Sequence, residues 1–309
     1  ITDISSYGVF SDGEEDNYNV IQDNNLTNTR EILVKGDYAK IYRNKIENSK
    51  SPGISLISSQ NSSLINNTII NSSLPSIQIV YDSINTLIEG GTINNSQDDA
   101  IYVYENNDIT DEPENLTINN VNILNTVSGK DDLKTESIGS SGTEDLITLI
   151  DMPQIEDYNF DISSKILLSV KETGLGEIEF LEVINGTGTN LSSDIQIADN
   201  FAYVNSSSNS GLNKSANVTL YGTPAGSLNN PDILRDGEIC SSSICYNFTS
   251  LTAETVVFNV TGWSNYTIGD KTSPALTIVS PANNTFTTDS GLDVLYTATD
   301  SNLDSCWYS

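Results

Sequence analysis

The sequence predicts an all-β protein in which a solenoid of stacked coils leads into a second β domain and then into a short third one. Two sequence markers repeat with nearly the same period through residues 1–126. Within each repeat, apolar and variable residues alternate, which is the period of a β-strand. After residue 145, strand-like segments continue without that longer repeat.

The two markers are a polar step and an aliphatic position. The polar step is an Asn followed by Ser or Thr, and it occurs at Asn28, Asn48, Asn71, Asn95 and Asn125. Only the last interval between these positions is clearly longer than the others. The aliphatic position recurs at almost constant intervals, at Val9, Ile32, Ile54, Ile77 and Ile101. A period of about 20 to 25 residues is typical of a solenoid, in which each unit is one coil.

The local pattern indicates that the coils are made of strands. Residues 53–56, 76–79 and 100–103 alternate apolar with variable residues and are rich in β-branched side chains. Strands that repeat in the same direction stack in parallel, about 4.8 Å apart. We therefore expect the isoleucines to form an inward column. Asn71 and Asn95 are expected to stack in a ladder of side-chain amides.

These repeats resemble the right-handed parallel β-helix superfamily of carbohydrate-binding proteins and sugar hydrolases, which includes NosD-like and pectate-lyase-like repeats. The resemblance covers residues 1–126 and rests on the Asn-Ser steps and on the strands named above. It implies a right-handed parallel β-helix. The superfamily includes lyases, hydrolases, adhesins and passive spacers, so the resemblance implies no single activity.

The rest of the chain is divided by changes in composition. Residues 127–145 are rich in Ser, Gly, Lys and Asp, which indicates an exit segment or linker. Residues 146–270 hold eight strand-like segments separated by turn signals, which predicts a β-sandwich. Residues 271–309 resemble the first half of an immunoglobulin-like repeat. We expect this truncated repeat to be poorly packed, because half of such a sandwich cannot bury its apolar face.

Parts of the predicted β-sandwich resemble a module of archaeal cell-surface proteins. That module follows β-helix repeats and precedes immunoglobulin-like repeats. The resemblance is carried by residues 211–221, by the turn between Cys240 and Cys245, and by residues 258–266. It implies a surface location and attaches no enzymatic activity to this part of the chain.

The composition excludes several classes of partner and of chemistry. Of the 309 residues, 42 are acidic and 13 are basic, which gives a net charge of −29. Nucleic acid and anionic membranes would be repelled, whereas polysaccharides and cell-envelope components are compatible. No apolar run long enough to span a bilayer is present, so we expect no transmembrane segment. The absence of histidine excludes Ser-His-Asp and Cys-His nucleophiles.

The cysteines and the glycosylation motifs favour an extracellular protein. Cys240 and Cys245 could close a small disulfide, and the alternative is two unpaired thiols. The odd Cys306 and a first coil that begins near Tyr7 without a capping element predict a fragment of a longer polypeptide. The density of the fifteen Asn-x-Ser/Thr sequons favours export. The glycosylation candidates are Asn61, Asn185, Asn205, Asn217, Asn259 and Asn265.

The catalytic candidates are Asp98 and Asp99, which precede a predicted strand. They resemble the Asp-Asp motif of polygalacturonases, in which carboxylates act as acid and base on a glycosidic bond. The Gly-His-Gly, Asn-Thr-Asp and Arg-Ile-Lys elements of that family are absent from this sequence. The alternative, which the sequence favours, is that both side chains cap a turn by bonding their own backbone.

Two acidic loops offer the oxygen ligands that Ca²⁺ prefers. Their candidate ligands are Asp12, Glu14 and Asp16 in one loop and Asp108 and Asp111 in the other. Neither loop has the spacing of an EF-hand, so solvated loops are the favoured interpretation. We expect no cofactor, and Ca²⁺ is the alternative. Copper, suggested by the NosD-like resemblance, is disfavoured because the chain has no histidine and one methionine.

The leading hypothesis is a non-enzymatic extracellular protein of the cell surface, active in adhesion, carbohydrate contact or envelope structure. The competing hypothesis is a polysaccharide-degrading hydrolase or lyase. An acidic groove in which Tyr102 and Tyr104 lie beside Asp98 and Asp99 would favour the enzyme. A flat, polar face lined by Asn ladders would favour the binding or structural role.

Overall fold

The structure is a computed structural model that describes residues 8–12, 18–105, 113–137, 144–151, 154–223, 228, 230–270, 275–282 and 293–299. The predicted all-β class is confirmed, since helix accounts for 3% of the residues. The first part is a right-handed β-solenoid of about six turns that spans residues 9–171. The prediction of a right-handed parallel β-helix is therefore confirmed.

Three parallel sheets form the walls of the solenoid, with the strands numbered along the chain. The first sheet contains β1 (Val9–Asp12), β4 (Ile32–Lys35), β7 (Ile54–Ile57), β10 (Ile77–Val80), β13 (Ile101–Tyr104), β16 (Leu133–Glu136) and β18 (Tyr158–Phe160). The second contains β2 (Val20–Gln22), β5 (Lys40–Tyr42), β8 (Ser63–Ile65), β11 (Leu87–Glu89), β14 (Leu116–Asn119), β17 (Asp145–Ile150) and β19 (Ile166–Glu172). The third contains β3 (Asn25–Thr27), β6 (Lys45–Glu47), β9 (Thr68–Ile70), β12 (Thr92–Asn94) and β15 (Asn122–Leu124).

The predicted aliphatic column runs along the inside of the first sheet. Ile77 pairs in register with Ile54 on one side and with Ile101 on the other. The column continues to Val9 through Ile32 in one direction. Ile54 and Ile101 are fully buried, and Ile77 is 3% exposed. The expectation that these side chains occupy neighbouring rungs of one sheet is confirmed.

The chain turns at the corners of each coil through residues with a left-handed backbone. At the corner between the third and first sheets, φ is 54° at Asn48, 57° at Asn71 and 57° at Asn95. A short polar side chain tolerates this conformation better than other non-glycine residues do. The stacked amides also bond one another: Asn71 Nδ2 donates to Asn48 Oδ1 at 2.7 Å and Asn95 Nδ2 to Asn71 Oδ1 at 3.4 Å. The predicted Asn ladder is confirmed.

A second Asn ladder lies inside the solenoid, where the sequence did not predict one. Asn44 is 1% exposed and its Nδ2 donates to the carbonyl of Ile21 at 2.8 Å. Asn67 repeats this contact one coil later, with Nδ2 2.7 Å from the carbonyl of Ile41. Asn67 Oδ1 also accepts the backbone N–H of Asn44 at 3.0 Å. Each buried amide is therefore satisfied by the adjacent coil, as a polar group in a core requires.

The solenoid continues beyond the predicted boundary at residue 126, and residues 127–145 include a strand of the first sheet. Leu133 of β16 lies in register with Ile101, which extends the inward column. β17 and β19 stack in parallel on the second sheet, although the sequence assigned both segments to the β-sandwich. Lengthened connections between rungs, such as the one from Ile88 to Ile118, hide the repeat period. The inward aliphatic positions nevertheless keep their register.

The strands predicted after residue 172 close the end of the solenoid. The second sheet continues with the antiparallel strands β20 (Gly176–Phe180), β24 (Ala216–Tyr221), β28 (Thr255–Val260) and β27 (Cys245–Asn247). The first sheet ends with β21 (Gly186–Gly188), antiparallel to β18. A fourth sheet contains β22 (Ile195–Ala198), β23 (Phe201–Val204), β29 (Asn265–Asp270), β25 (Pro231–Arg235) and β26 (Glu238–Ile239). A helical turn, α1 (Leu191–Asp194), precedes β22.

The second and fourth sheets pack together through aromatic side chains. Phe258 contacts Tyr266 with ring centroids 6.1 Å apart, and Phe180 contacts Trp263 at 5.7 Å. These side chains belong to the same buried cluster as the interior of the solenoid. One sheet and one buried cluster therefore run through residue 146. That a separate module begins there stays a prediction. Whether this part belongs to the β-sandwich class stays a prediction.

The last described strands form a two-stranded antiparallel sheet of β30 (Ala275–Ser280) and β31 (Leu295–Thr299). All six side chains of β30 are exposed, as are most of those of β31. This exposure agrees with the expectation that the segment packs poorly. Its assignment to an immunoglobulin-like repeat stays a prediction.

Replacing Ile77 by Ala tests the inward column. We expect the free energy of unfolding in urea to fall by about 2 to 5 kcal/mol, because a buried aliphatic side chain is replaced by a cavity. The exposed Gln97, replaced by Ala, is the matched control and should change it by less than about 0.5 kcal/mol. Equal effects of the two substitutions would contradict the inward placement.

Two substitutions of Asn71 separate the corner conformation from the ladder. Both Asn71→Gly and Asn71→Ala remove the amide, but only glycine adopts a positive φ without strain. We expect Asn71→Ala to lower the free energy of unfolding by about 1 to 2 kcal/mol more than Asn71→Gly does. Chemical denaturation of the two variants side by side makes the comparison, and indistinguishable midpoints would refute a strained corner.

Candidate functional site

The candidate site lies on the outer face of the first sheet, on three successive rungs. Because side chains alternate along a strand, the neighbours of the inward residues point to solvent. Gln78 of β10, Tyr102 of β13 and Lys134 of β16 therefore lie side by side in one row. Tyr104 and Glu136 lie side by side in the next row. We call these five residues the outer cluster.

Hydrogen bonds between rungs hold the outer cluster together. The rings of Tyr102 and Tyr104 are stacked, with centroids 4.5 Å apart and planes 16° apart. Gln78 Nε2 donates to the hydroxyl of Tyr104 at 2.7 Å. The hydroxyl of Tyr102 donates to Glu136 Oε2 at 2.8 Å. Lys134 Nζ lies 4.9 Å from the centroid of the Tyr102 ring and 3.1 Å from Glu136 Oε2.

These contacts fix the charge states of the outer cluster. The hydrogen bonds from Tyr102 and Lys134 hold the pKa of Glu136 below its usual value, so this carboxylate stays ionised. Burial, together with the neighbouring Glu136 carboxylate, raises the pKa of the Tyr102 hydroxyl. Burial also raises the pKa of the Tyr104 hydroxyl. Both tyrosines are therefore neutral hydrogen-bonding groups, and neither supplies a phenolate.

Asp98 and Asp99 lie beside the outer cluster, and both bind backbone N–H groups. Asp98 Oδ1 accepts the N–H of Asp99 at 3.0 Å and pairs with the ammonium of Lys130. Asp99 is 4% exposed, and its Oδ1 accepts the N–H of Asp131 on the next rung at 3.0 Å. Its Oδ2 lies 3.9 Å from Lys134 Nζ. Asp98 thus makes the local backbone contact that the turn-cap interpretation expects, whereas Asp99 bonds the backbone of the next rung. A catalytic role for either carboxylate stays a prediction.

The next rung repeats this acidic step, which sequence reasoning missed. Burial, and then the charge of Asp99, raise the pKa of Asp131. Burial also raises the pKa of Asp132, whose carboxylate accepts the hydroxyl of Thr126 and, at 2.8 Å, the N–H of Glu156. The register that pairs Ile101 with Leu133 places these residues next to Asp98 and Asp99. Sequence reasoning could have found Asp131 and Asp132 from this register, but only by extending the solenoid beyond residue 126.

The calcium candidates fall mostly outside the described residues. Glu14, Asp16, Asp108 and Asp111 are not described, and of Asp12 only the backbone is described, at the end of β1. Within the described ranges, no group of three or more His, Cys, Asp or Glu side chains is arranged to hold a metal ion. Ca²⁺ binding stays a prediction.

The structure joins Cys240 and Cys245 by a disulfide, with the two Cα atoms 6.0 Å apart. Cys240 follows β26, the edge strand of the fourth sheet, and Cys245 opens β27, the edge strand of the second. The bond therefore fastens the edges of the two sheets to each other. Cys306 lies outside the described residues.

Most of the glycosylation candidates use their amide groups in the fold. Asn61 is exposed, and its Oδ1 accepts a hydrogen bond from Asn85 Nδ2 at 3.0 Å. Asn185 is partly buried. Four others are partly buried and donate through Nδ2 at 3.0 to 3.2 Å: Asn205 to Asp194, Asn217 to Glu179, Asn259 to the carbonyl of Ala216 and Asn265 to Asp236.

The hydrogen bond between Tyr102 and Glu136 predicts a pH dependence. Replacing Tyr102 by Phe should raise the pKa of Glu136 towards its usual 4.5, measured by NMR titration of the carboxyl carbon. Because the folded pKa is depressed, the stability that Glu136 contributes is present above about pH 4.5 and is lost as the pH falls through the folded pKa. Tyr104→Phe, which removes only the contact with Gln78, should leave this titration unchanged. An unshifted titration in Tyr102→Phe would contradict the hydrogen bond.

Comparison with known proteins agrees with the fold. Residues 1–141 match the family described as the right handed beta helix region. Neither curated proteins nor solved structures gave a significant match. Among the residues that the structure describes, no helix has the length and apolar character needed to cross a membrane. The family match and the stacked coils together identify the first part of this chain as a right-handed β-helix.

Proposed function

We propose that this chain is a non-enzymatic protein of the cell exterior whose solenoid presents a stiff face that contacts carbohydrate in the cell envelope. The observation that carries the proposal is the outer cluster, in which stacked rings, an amide, a carboxylate and an ammonium group are held by bonds between rungs. The finer resemblance, to NosD-like repeats of archaeal surface proteins with β-sandwich and immunoglobulin-like modules, belongs to the same proposal.

The chemistry of the outer cluster suits a sugar. Aromatic side chains offer apolar area with a polar edge, and the Gln78 amide and Glu136 carboxylate supply both hydrogen-bond donors and acceptors for hydroxyl groups. The groups already bond one another at 2.7 to 3.1 Å, so little side-chain freedom is lost on binding. The net charge of −29 favours neutral over anionic polysaccharides.

The position of the carboxylates supports binding over catalysis. A glycosidase needs one carboxyl that donates a proton and a second that acts as base or nucleophile. Asp98 and Asp99 hold backbone N–H groups and ammonium groups, and Glu136 is kept ionised by Tyr102 and Lys134. The sequons and the disulfide of Cys240 and Cys245 support a location outside the cytosol.

One observation favours the competing function of a polysaccharide-degrading enzyme. The pKa of Asp131 is raised by burial and by the charge of the neighbouring Asp99, and a carboxyl with a raised pKa is the kind of group that acid-base catalysis uses as a proton donor. Asp131 is partly exposed and lies one rung from Asp99. It is therefore the residue through which the enzyme hypothesis is best tested.

Binding to a panel of neutral cell-wall polysaccharides tests the proposal. We expect Tyr102→Ala to weaken binding about tenfold or more, since buried aromatic side chains dominate such contacts. Tyr102→Phe should weaken it less, because the ring is retained. The matched control is Thr117→Ala, on the outside of the second sheet, which should bind as the unchanged chain does.

Assays for new reducing ends and for unsaturated products, run on the same polysaccharides, distinguish a binding protein from a hydrolase or a lyase. We expect binding without release of product. Product release that is abolished by both Asp99→Asn and Asp131→Asn would establish the enzyme instead. Absence of binding to every polysaccharide, or equal binding by Tyr102→Ala and Thr117→Ala, would refute carbohydrate contact at the outer cluster.

A further inference from the structure

The sequons of the described residues differ in what the side-chain nitrogen does. In one group, Nδ2 donates a hydrogen bond that joins two coils or two strands. Asn71 donates to Asn48 Oδ1 at 2.7 Å, and Asn115 donates to Asn85 Oδ1 at 3.1 Å. The antiparallel part has equivalents, such as Asn217 in β24, which donates to Glu179 in β20. A substituent on these nitrogens would have to enter the space between rungs or strands.

In a second group, the side-chain oxygen is held by the protein and the nitrogen is left to solvent. Asn190 is exposed, and its Oδ1 accepts the N–H of Ser193 at 2.8 Å and the hydroxyl of Ser192 at 2.9 Å. Asn213 is exposed, and its Oδ1 accepts the N–H of Trp263 at 2.9 Å. Both oxygens face the fold, so both nitrogens face outward.

Asn247 belongs to the same group and lies on the edge strand β27. It is exposed, and its Oδ1 accepts the N–H of Thr249 at 3.2 Å. Its neighbours Tyr246 and Phe248 are 64% and 55% exposed, with ring centroids 5.2 Å apart. Within the described residues, the Nδ2 atoms of Asn190, Asn213 and Asn247 donate to no acceptor.

We propose that Asn190, Asn213 and Asn247 carry N-linked glycans and that the ladder sequons do not. This assignment rests on the proposed extracellular role, and it differs from the set that the sequence alone singled out. Each of the first two positions lies next to its own helical turn. Asn190 caps α1, and Asn213 follows the 3₁₀ turn Ser210–Leu212. All three positions lie in the antiparallel part, so the glycans would leave the outer cluster of the solenoid open.

The chemistry of attachment explains why these three positions tolerate a glycan. A phosphate-activated oligosaccharide reacts at Nδ2: the bond from sugar C1 to nitrogen forms, the bond from C1 to the phosphate oxygen breaks, and the amide gives up one proton. The phosphate leaves with the bonding electrons. The product keeps its carbonyl oxygen, so the hydrogen bonds that Asn190 and Asn213 accept are retained. Attachment at Asn71 or Asn217 would crowd a nitrogen that already donates to a neighbouring strand.

Among the exposed sequons of the solenoid, Asn61 and Asn66 are left out of the assignment because of their place in the stack. Asn61 stands at a corner directly below Asn85, to which its Oδ1 is bonded. Asn66 stands at another corner, and its Oδ1 lies against the backbone of the corner above, since a Cβ added to Gly90 would clash with it. Corner residues of neighbouring coils are about 4.8 Å apart, which leaves little room for a branched substituent.

The test is site-resolved glycan mapping of the full chain, secreted from a eukaryotic cell line that N-glycosylates its exports. We expect glycan at Asn190, Asn213 and Asn247, read by peptide mass after enzymatic release in heavy-oxygen water. The triple variant Asn190→Asp, Asn213→Asp and Asn247→Asp keeps each accepting oxygen and should lose the glycan mass carried by these three sites.

The matched control removes three ladder sequons without touching their asparagines. Ser73→Ala, Thr117→Ala and Thr219→Ala should leave the glycan mass unchanged. Absence of glycan from Asn190, Asn213 and Asn247, glycan found at Asn71, Asn115 or Asn217, or a secreted chain with no glycan would each overturn the assignment. A chain that carries these glycans but binds no polysaccharide would refute the carbohydrate contact alone, so the two proposals fail separately.

Discussion

The left-handed residue at each corner is the constraint on which the rest of the structure depends. A coil closes only if the chain changes direction sharply between short strands, and it does so with a positive φ, as at Asn61, Asn66 and Asn71. Asparagine suits these positions because its short polar side chain tolerates that conformation. Once the corners are superposed, the strands of successive coils meet in register. The backbone bonds between rungs, the aliphatic interior and the outer cluster all follow from that register.

The features that repeat in every coil could be predicted from sequence, and the features that do not repeat could not. The column through Ile54, Ile77 and Ile101 and the ladder of Asn71 and Asn95 were predicted because both recur at nearly constant spacing. The buried ladder of Asn44 and Asn67 was missed because it occupies few coils. The end of the solenoid was placed too early because lengthened connections obscure the period.

The candidate site shows the same division between local and long-range information. Asp98 and Asp99 were recognised from a local motif, and the hydrogen bond that Asp98 accepts from the N–H of Asp99 follows from the chemistry of short acidic side chains. Their partners Lys130 and Asp131 lie one rung later and far along the chain. Only the pairing of Ile101 with Leu133 brings the two segments together. Likewise, a sequon shows no sign of whether its nitrogen or its oxygen faces the fold.

The lengthened coil has a consequence for how such a chain can diversify. Ile118 lies directly above Ile88, just as Ile88 lies directly above Leu64, although the chain takes a longer path to complete the upper coil than the lower one. The height of a rung is thus independent of the contour length spent in reaching it. An insertion between two strands can therefore add surface at one rung while the strands on either side keep their register. Proteins built in this way can change the surface of one coil without rearranging the neighbouring coils.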